Sequence, residues 1–502
     1  MKRLVETAAS RAWFGIALVG LVIVLLVLVL TLIPRLTKGQ KVIDAAKPAF
    51  TDDRVAGLRA GTDFISRYVD LADPLVTPRG SLEAPKLVAL IRRETGMSRA
   101  EVRRLLRRRA PHTEALLRAL PLTKVSAEIP RFTEFLAKTL NVASEDLQIE
   151  LVKRFPRLAQ TLTALPNVTR GWRGVPGVEG RLTRFDGKPV RSVAQLRDYY
   201  RNDLVPIVAE HRDDVQYVGG WGGIGYIPWL LLVVGLAVLA YGLMQANRAR
   251  VEAPGKRSWS VVAGVGVVIV LIVVALQYWP RLGAAQDTVD DFKPAFEAQR
   301  VDGTVAGIDM VGQTVRFGDP IATRKGGAVQ EVPRLIAFVA GETGQRESQV
   351  LRAVRRVAPR TAALLDAVPL SAVAGEQPRL VALLARRLDI PRGRVLAALQ
   401  KSVPGLAQSL VEVRPVALSW RRIPGTEKLT RFDGATPVST MPQLVDYLRE
   451  EVMPIFPEQR KNFDKLANTW PPLNVFAPLL LVVGLLVVAY GLLGMRVLAR
   501  RY

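Results

Sequence analysis

Few residues of the sequence could perform acid–base chemistry. Because the sequence contains an internal repeat, we ask whether each candidate residue occurs in both copies. The 502 residues include two histidines and no cysteine, which excludes thiol catalysis, disulfides and zinc–thiolate sites. His112 aligns with Arg360 and His211 aligns with Gln459, and each pair lies 248 residues apart. Because a duplicated catalytic site would carry its general base twice, we predict that neither histidine is catalytic.

Carboxylates are the second source of such chemistry. Glu179 matches Glu427, and Asp186 matches Asp433. Both aspartates directly precede glycine, a position that is typical of tight turns, so the pattern favours structural roles. Glu179 with Asp186, or Glu427 with Asp433, would also suit an enzyme that acts on envelope carbohydrate. No nucleophile-elbow, phosphate-loop or metal-binding motif occurs, so we predict no catalytic residue, no metal site and no cofactor.

An aromatic and arginine signature is the clearest repeated motif. WRGVPGVE from Trp172 matches WRRIPGTE from Trp420, and LTRFDG occurs at Leu182 and again at Leu429. Tryptophan and arginine are enriched in binding sites, and a packed join between a hairpin and helices would explain them equally well. The candidate binding residues are Trp172, Arg173, Arg184, Phe185, Asp186, Trp420, Arg421, Arg431, Phe432 and Asp433.

A run of arginines stands out in a chain whose formal net charge is +25. The run RRLLRRR places Arg103, Arg104, Arg107, Arg108 and Arg109 on a predicted helix whose other face is apolar. Such a basic face could bind phospholipid headgroups or phosphate-bearing wall polymers, or it could simply be solvated. Nucleic acid is a poor candidate, because we expect this segment to lie outside the cytoplasm.

Four long apolar runs determine on which side of a membrane the candidate residues lie. Residues 14–33, 226–244, 259–279 and 476–493 contain no charged side chain, and each has about the 20 residues that a helix needs to cross a bilayer. We predict four transmembrane helices, the first an uncleaved anchor. Lysine and arginine are concentrated in residues 1–13, 245–258 and 494–502, which predicts that these segments are cytoplasmic. Residues 34–225 and 280–475 are then extracytoplasmic.

The predicted membrane helices contain few polar groups. Coupled transport usually needs ionisable side chains inside the membrane. The four apolar runs contain no Asp, Glu, Lys or Arg, which argues against coupled transport. Gly235 and Gly242 share one helix face, as do Gly484 and Gly491. Because small residues let helix backbones approach, we predict that these faces pack in a bundle, although glycine is common in membrane helices.

The chain is interpreted as a tandem duplication. KPAF at Lys47 recurs at Lys293, an offset of 246 residues, and AYGL at Ala240 recurs at Ala489, an offset of 249. Each half has an even number of spans, so both halves point the same way, and a four-helix bundle with a pseudo-twofold axis along the membrane normal follows. Within each outer segment a unit of short helices recurs after 45 residues, as at Pro111 and Pro156.

The predicted fold class combines these elements. It is an α-helical integral membrane protein with four transmembrane helices and two homologous, mainly α extracytoplasmic domains. LTRFDG predicts a small β-hairpin in each domain, because Asp-Gly between alternating residues is typical of a tight turn. Ser98 with Glu101 predicts a capping box at a helix start.

Three functions are compatible with this organisation. The first is a non-enzymatic protein of the bacterial cytoplasmic membrane, whose twin basic domains act as a scaffold or binding module for an envelope protein partner, an anionic lipid or a wall polymer. The second is an auxiliary subunit or passive conduit for lipid or envelope precursors, and the third is the carbohydrate enzyme. A deep apolar cavity running from the bundle into the outer domains would favour lipid handling, and a closed core with a basic surface would favour binding. The sequence does not define an oligomeric state.

Overall fold

The structure is a computed structural model. It describes residues 2–220, 223–248, 256–275, 277–468 and 470–499. Parts of the predicted cytoplasmic segments 1–13, 245–258 and 494–502 lie outside these ranges. Among the basic residues used to predict orientation, Arg250, Arg500 and Arg501 lie outside the described residues.

The described residues form 25 α-helices, numbered in chain order. Those of the first half of the chain, residues 1–248, are α1 Lys2–Val29, α2 Leu32–Ala46, α3 Asp52–Val76, α4 Pro78–Thr95, α5 Arg99–Arg109, α6 Pro111–Ala119, α7 Leu122–Leu140, α8 Ser144–Arg154, α9 Pro156–Gly171, α10 Val193–Tyr199, α11 Val205–Glu210, α12 Arg212–Val218 and α13 Ile227–Arg248. Those of the second half are α14 Lys256–Ala275, α15 Tyr278–Phe292, α16 Ala298–Ala322, α17 Ala328–Thr343, α18 Glu347–Val357, α19 Pro359–Ala367, α20 Leu370–Arg387, α21 Arg392–Ser402, α22 Pro404–Ser419, α23 Met441–Tyr447, α24 Ile455–Ala467 and α25 Phe476–Ala499.

Shorter helical segments connect some of these helices. Four are 3₁₀ helices: Lys47–Phe50, Ile224–Tyr226, Arg324–Gly326 and Leu473–Val475. Two are π-helical turns, Tyr200–Leu204 and Leu448–Val452, which occupy equivalent positions 248 residues apart. A π-helical turn inserts an extra residue into a helix and changes the direction of its side chains.

The two predicted β-hairpins do not form strands. In the described part of the chain there is no strand, and each LTRFDG segment contributes a single bridge, Thr183 with Pro189 and Thr430 with Pro437. Pairing stops after one residue pair because the N–H of Leu182 donates to the carbonyl of Val178 and the N–H of Gly187 donates to that of Arg184, so neither extends the ladder. The segments are instead tight turns, with positive φ at Gly187.

Helices long and apolar enough to cross a membrane are present. Three qualify alone, Ile224–Arg248, Arg257–Ala275 and Leu473–Val497, and a bent pair, Trp13–Val29 with Leu32–Phe50, would make a fourth. The bend is 53°. The first and third helices therefore end earlier than the predicted spans 14–33 and 259–279.

The early ends have a local cause. Thr31 and Gln277 have positive φ angles of 48° and 51°, which break the helix direction before α2 and α15 begin. Pro34 and Pro280 follow in the first turn of each new helix, where the missing N–H has no intrahelical partner to lose. Had α1 or α14 continued through its proline, a backbone hydrogen bond would have been lost.

The chain folds into two compact units, each built from both halves. The span unit comprises Met1–Val55, Ile207–Ala298 and Ile455–Tyr502 and contains the apolar helices. The interlocked unit comprises Ala56–Pro206 and Gln299–Pro454. The predicted segments 34–225 and 280–475 each contribute residues to both units.

Glycines set the helix packing of the span unit. A Cβ on Gly242 would lie 2.5 Å from the backbone nitrogen of Ala17, and one on Gly491 would lie 2.5 Å from that of Ala263. Gly235 faces Ile23 and Val24 in the same way, and Gly484 faces Ile269 and Val270. The predicted glycine faces thus form the contacts of α13 with α1 and of α25 with α14. Stacked Trp13 and Trp259 rings, 4.7 Å apart, join the two helix pairs.

The interlocked unit owes its name to reciprocal contacts of α3 and α16. Gly57 and Gly61 of α3 leave space that Leu429 and Leu444 of the second half fill. The equivalent contacts of α16 are those of Gly303 with Leu182 and of Gly307 with Leu196. Each long helix therefore packs against residues of the other half.

Candidate functional site

The repeated tryptophans lie in the core of the interlocked unit. Trp172 is 1% exposed and Trp420 is fully buried. Their indole N–H groups donate to Asp73 and Asp319, each over 2.9 Å. Neither ring presents a face to solvent, so the accessible part of the predicted binding set must come from its other members.

The arginines of the LTRFDG turns are clamped by carboxylates. Arg184 donates through Nε and Nη2 to Asp203, at 3.1 and 2.7 Å, and the backbone N–H of Phe185 donates to the same carboxylate at 3.3 Å. Asp203 lies in the π-helical turn. In the second half the carboxylates of Glu450 and Glu451 accept from Arg431. The signature therefore fixes an irregular turn onto a π-helical turn.

The turn aspartates have local partners. Asp433 accepts from the Thr436 hydroxyl at 2.5 Å and from the N–H groups of Thr436 and Ala435, and these bonds lower its pKa to about 2. Asp186 accepts from the side chain and backbone N–H of Lys188, which lowers the pKa of its carboxyl group. Both carboxylates therefore stay ionised and bound within their own turns.

The remaining members of these sets are more exposed. Arg173 is exposed, and so are both acids of the carbohydrate-enzyme hypothesis, Glu179 and Glu427. The half-buried Arg421 pairs with Asp319 at 3.0 Å. Phe185 and Phe432 are half-buried and pack edge-on against Tyr199 and Tyr447.

Four glutamates that the sequence analysis did not single out hold the interlocked unit together. Each lies in an E-x-P-[K/R] segment, and the segments recur 45 residues apart in each half. They are Glu83, Glu128, Glu331 and Glu376. The recurrence of glutamate two residues before a proline inside a helix is the signal that could have identified them.

Each glutamate caps a proline-headed helix of the other half. Glu83 accepts from the N–H groups of Gly405 and Leu406 in α22, at 3.1 and 2.7 Å, and Glu331 accepts from Leu158 of α9 at 2.7 Å. The remaining bonds are those of Glu128 with Arg360 and Thr361 of α19 and of Glu376 with His112 and Thr113 of α6. A carboxylate at a helix N-terminus satisfies unpaired N–H groups and complements the helix dipole.

The two histidines have different surroundings. The His112 ring contacts the carbonyl of Asp366 at 3.0 Å. His211 is buried in the span unit, where its two ring nitrogens face Asp291 at 2.8 Å and Asp214 at 3.0 Å. Both ring nitrogens can donate only in the protonated ring, so the two carboxylates favour the imidazolium. In the second half, Gln459 and Asn462 replace this charged arrangement with a neutral hydrogen bond of 2.9 Å.

His211 makes the stability of its surroundings pH-dependent. Burial alone would lower its pKa, but hydrogen bonds and charges from Asp291 and Asp214 raise it above the ordinary value. The stabilisation is therefore complete below about pH 6.5, the ordinary value, and is lost as pH rises through the raised pKa. We expect hydrogen exchange of α12 and α15, corrected for intrinsic rates, to show less protection at about pH 8 than at about pH 6. His211→Gln should abolish the difference and His112→Gln should preserve it; a difference that survives His211→Gln would contradict this assignment.

The described ranges bring no three His, Asp or Glu side chains together in a way that could hold a metal ion. Around His211 the two aspartates face different ring nitrogens and do not converge on one point. No family model matches the chain, and neither a curated protein nor a solved structure matches it. The candidate site must therefore be judged from its own geometry.

The basic face of α5 is the accessible charged feature. Arg103, Arg104, Arg107, Arg108 and Arg109 are all exposed. Six arginines and one glutamate give the helix a charge of +5. Arg107 approaches Glu114 at 3.9 Å, whereas the other four arginines form no salt bridge with any described residue. Arginines in the last turn also complement the helix dipole, which accounts for part of the run.

The equivalent helix α18 is less basic. It carries three arginines and one glutamate, a charge of +2, and Arg355 pairs with Asp366 at 3.3 Å. Arg352, Arg355 and Arg356 match Arg104, Arg107 and Arg108. Position 351 is leucine and position 357 is valine where α5 has Arg103 and Arg109. The excess charge is thus specific to the first half.

Proposed function

We propose that the protein is a non-enzymatic, membrane-anchored binding protein of the bacterial cell envelope, and that the basic face of α5 binds an anionic, phosphate-bearing partner. The observation that carries the proposal is the set of exposed α5 arginines without a salt bridge among the described residues. Arginine matches phosphate oxygens with several donors at once, which makes such a face suited to phosphodiester groups.

The topology proposed with this function follows the basic segments of the sequence. Residues 1–13, 245–258 and 494–502 lie in the cytoplasm, and residues 34–225 and 280–475 lie outside the cytoplasmic membrane. The two halves arose by duplication, and the apolar helices anchor them. On that side of the membrane the available phosphate-bearing partners are lipid headgroups and wall polymers, while nucleic acid is scarce.

Two features of the interlocked unit support surface binding over the alternatives. A cavity between Leu75, Leu116 and Leu410 measures about 60 Å³, well below the roughly 300 Å³ of small ligand pockets, so it has no space for a lipid or a sugar. Asp186 and Asp433 are engaged within their own turns, which supports binding over carbohydrate hydrolysis. The following experiment distinguishes a phosphate-bearing partner from an acidic protein partner for the basic face.

Arg103→Gln, Arg104→Gln and Arg108→Gln together should weaken binding of inorganic polyphosphate to the full-length protein in neutral detergent. At about 1 kcal/mol for each basic residue near an anionic surface, three charges correspond to a loss of affinity of about 150-fold. The measurement is fluorescence anisotropy of labelled polyphosphate at several salt concentrations. The variant should also have a shallower salt dependence, because fewer counterions are released.

The matched control removes three charges from the equivalent helix. Arg352→Gln, Arg355→Gln and Arg356→Gln lower the net charge equally and should change the affinity less than about threefold. Polyglutamate of equal length tests whether phosphate is preferred over carboxylate. Equal losses in the two triple variants would mean that only net charge matters, and tighter binding of polyglutamate would favour an acidic protein partner; either result would refute the phosphate-specific α5 site.

A further inference from the structure

We propose that the span unit binds an anionic phospholipid, with one acyl chain in a groove between α13 and α14. This site is separate from the basic face of α5 and does not depend on it. The groove is a cavity of about 480 Å³, which falls within the roughly 300–1,000 Å³ of ligand-binding cavities. It is bordered by Ala237 and Tyr241 of α13 and by Val261, Gly264 and Val268 of α14, with Ile16 of α1 among its lining residues.

The chemistry of the lining requires an apolar occupant. Val261 and Val268 are 44% and 50% exposed, so the groove opens at the surface of the span unit. A Cβ on Gly264 would meet no atom within 4 Å, which leaves free space beside the backbone. The Tyr241 hydroxyl is the polar group of the lining, and it donates to the carbonyl of Ser258 at 3.4 Å. Water does not fill apolar cavities of this kind, whereas hydrocarbon chains do.

Two small residues distinguish this groove from its counterpart in the repeat. Ala237 aligns with Leu486, at an offset of 249 residues, and Gly264 aligns with Leu18, at an offset of 246. Both leucines are more than half exposed on α25 and α1, at 63% and 59%. The chain thus carries leucine on one of two equivalent faces and leaves the other open. Packing of the glycine faces does not need this difference, because Gly235, Gly242, Gly484 and Gly491 already provide the close helix contacts.

Two exposed arginines indicate an anionic headgroup, and the length of the groove matches one acyl chain. Arg248 in the last turn of α13 and Arg257 in the first turn of α14 are exposed, and neither forms a salt bridge with a described residue. At a rise of about 1.5 Å per residue, the helices extend roughly 16–21 Å from these arginines to Val268 and Val234. One leaflet contributes about half of the 30 Å hydrocarbon thickness, so an acyl chain whose phosphate meets the arginines would follow the whole groove.

Photocrosslinking can test this site in the full-length protein. Nanodiscs of phosphatidylcholine would contain a small fraction of phosphatidylglycerol with a diazirine in its acyl chain, and adducts would be located by mass spectrometry. We expect at least fivefold more adducts in residues 234–241 and 261–268 than in the equivalent surfaces 483–490 and 15–22. A phosphatidylcholine probe with the same diazirine should give fewer adducts in the groove.

Filling variants provide the decisive comparison. Ala237→Leu with Gly264→Leu copies the residues of the other face and should lower groove labelling at least fivefold, without clashes because Gly264 faces open space. Leu18→Ala with Leu486→Ala changes the equivalent positions and should leave groove labelling unchanged. Native mass spectrometry of each variant would count retained phosphatidylglycerol and verify that the chain is folded. Even labelling of all four helices, or labelling that survives the filling variant, would overturn the site. Equal labelling by the two probes would overturn its selectivity for an anionic headgroup.

Discussion

Replacing Glu83 and Glu331 together with alanine should destabilise the interlocked unit by about 3–9 kcal/mol, because three N–H groups lose their acceptor and each costs about 1–3 kcal/mol. The three backbone donors are Gly405, Leu406 and Leu158. Hydrogen exchange of the full-length protein should show the loss in α22 and α9. Glu83→Ala alone should expose α22, which belongs to the other half of the chain.

Glu94 and Glu342 offer the matched control. They are equivalent exposed residues at the ends of the same two helices, α4 and α17. Their double replacement with alanine should change stability by less than about 0.5 kcal/mol, as is usual for surface substitutions. If Glu83→Ala reduced protection only within its own half, the reciprocal caps would not hold in solution.

Trp420→Ala should lower the free energy of unfolding by about 3–5 kcal/mol, the usual cost of removing a buried tryptophan. The ring is fully buried against Phe64 and Tyr68, and its N–H donates to Asp319. Trp420→Phe retains most of the packing and loses the hydrogen bond, so its cost should be intermediate. Denaturant titration of the full-length protein in detergent, followed by near-ultraviolet circular dichroism, would measure both values.

The same variant separates a core role from a binding role. Folded Trp420→Ala protein should bind polyphosphate as the unmodified chain does, because the ring has no accessible face. Trp470→Ala is the control for general loss of tryptophan, since that side chain is 79% exposed. A variant that kept its stability and lost its ligand would show instead that Trp420 contacts the partner.

Local features of the fold follow from the sequence because their causes are local. The capping box of Ser98 and Glu101 is confirmed, with N–H···O distances of 2.8 and 3.3 Å. Pro111 begins α6, a position where the missing N–H of proline costs no intrahelical hydrogen bond. Three of the four predicted spans correspond to helices that are long and apolar enough to cross a membrane, and the fourth corresponds to a bent pair of helices. The hairpins did not form strands because the N–H groups of Leu182 and Leu429 donate to Val178 and Thr426 in the preceding turns and do not extend the pairing.

Long-range features could not be derived in the same way. The acceptor Glu331 lies 173 residues from its donor Leu158, and the donor is a backbone N–H that any residue except proline could supply. Both halves offer proline-headed helices and matching glutamates, so capping within a half and capping between halves fit the sequence equally well. The candidate binding residues illustrate the same limit, since repetition singles out Trp172 and Trp420 without revealing that both rings are buried and donate to Asp73 and Asp319.

Because each capping glutamate lies in the other half of the chain from its helix, a helix of the first half cannot be capped until the second half has been synthesised. When Leu158 has been synthesised, the carboxylate that completes its helix is still 173 residues away. At about 5–20 residues per second, that interval lasts roughly 9–35 s. Throughout that interval the first half has an uncapped helix end at Leu158 and unfilled space beside Gly57 and Gly61, so we expect it to expose apolar surface until the second half is synthesised.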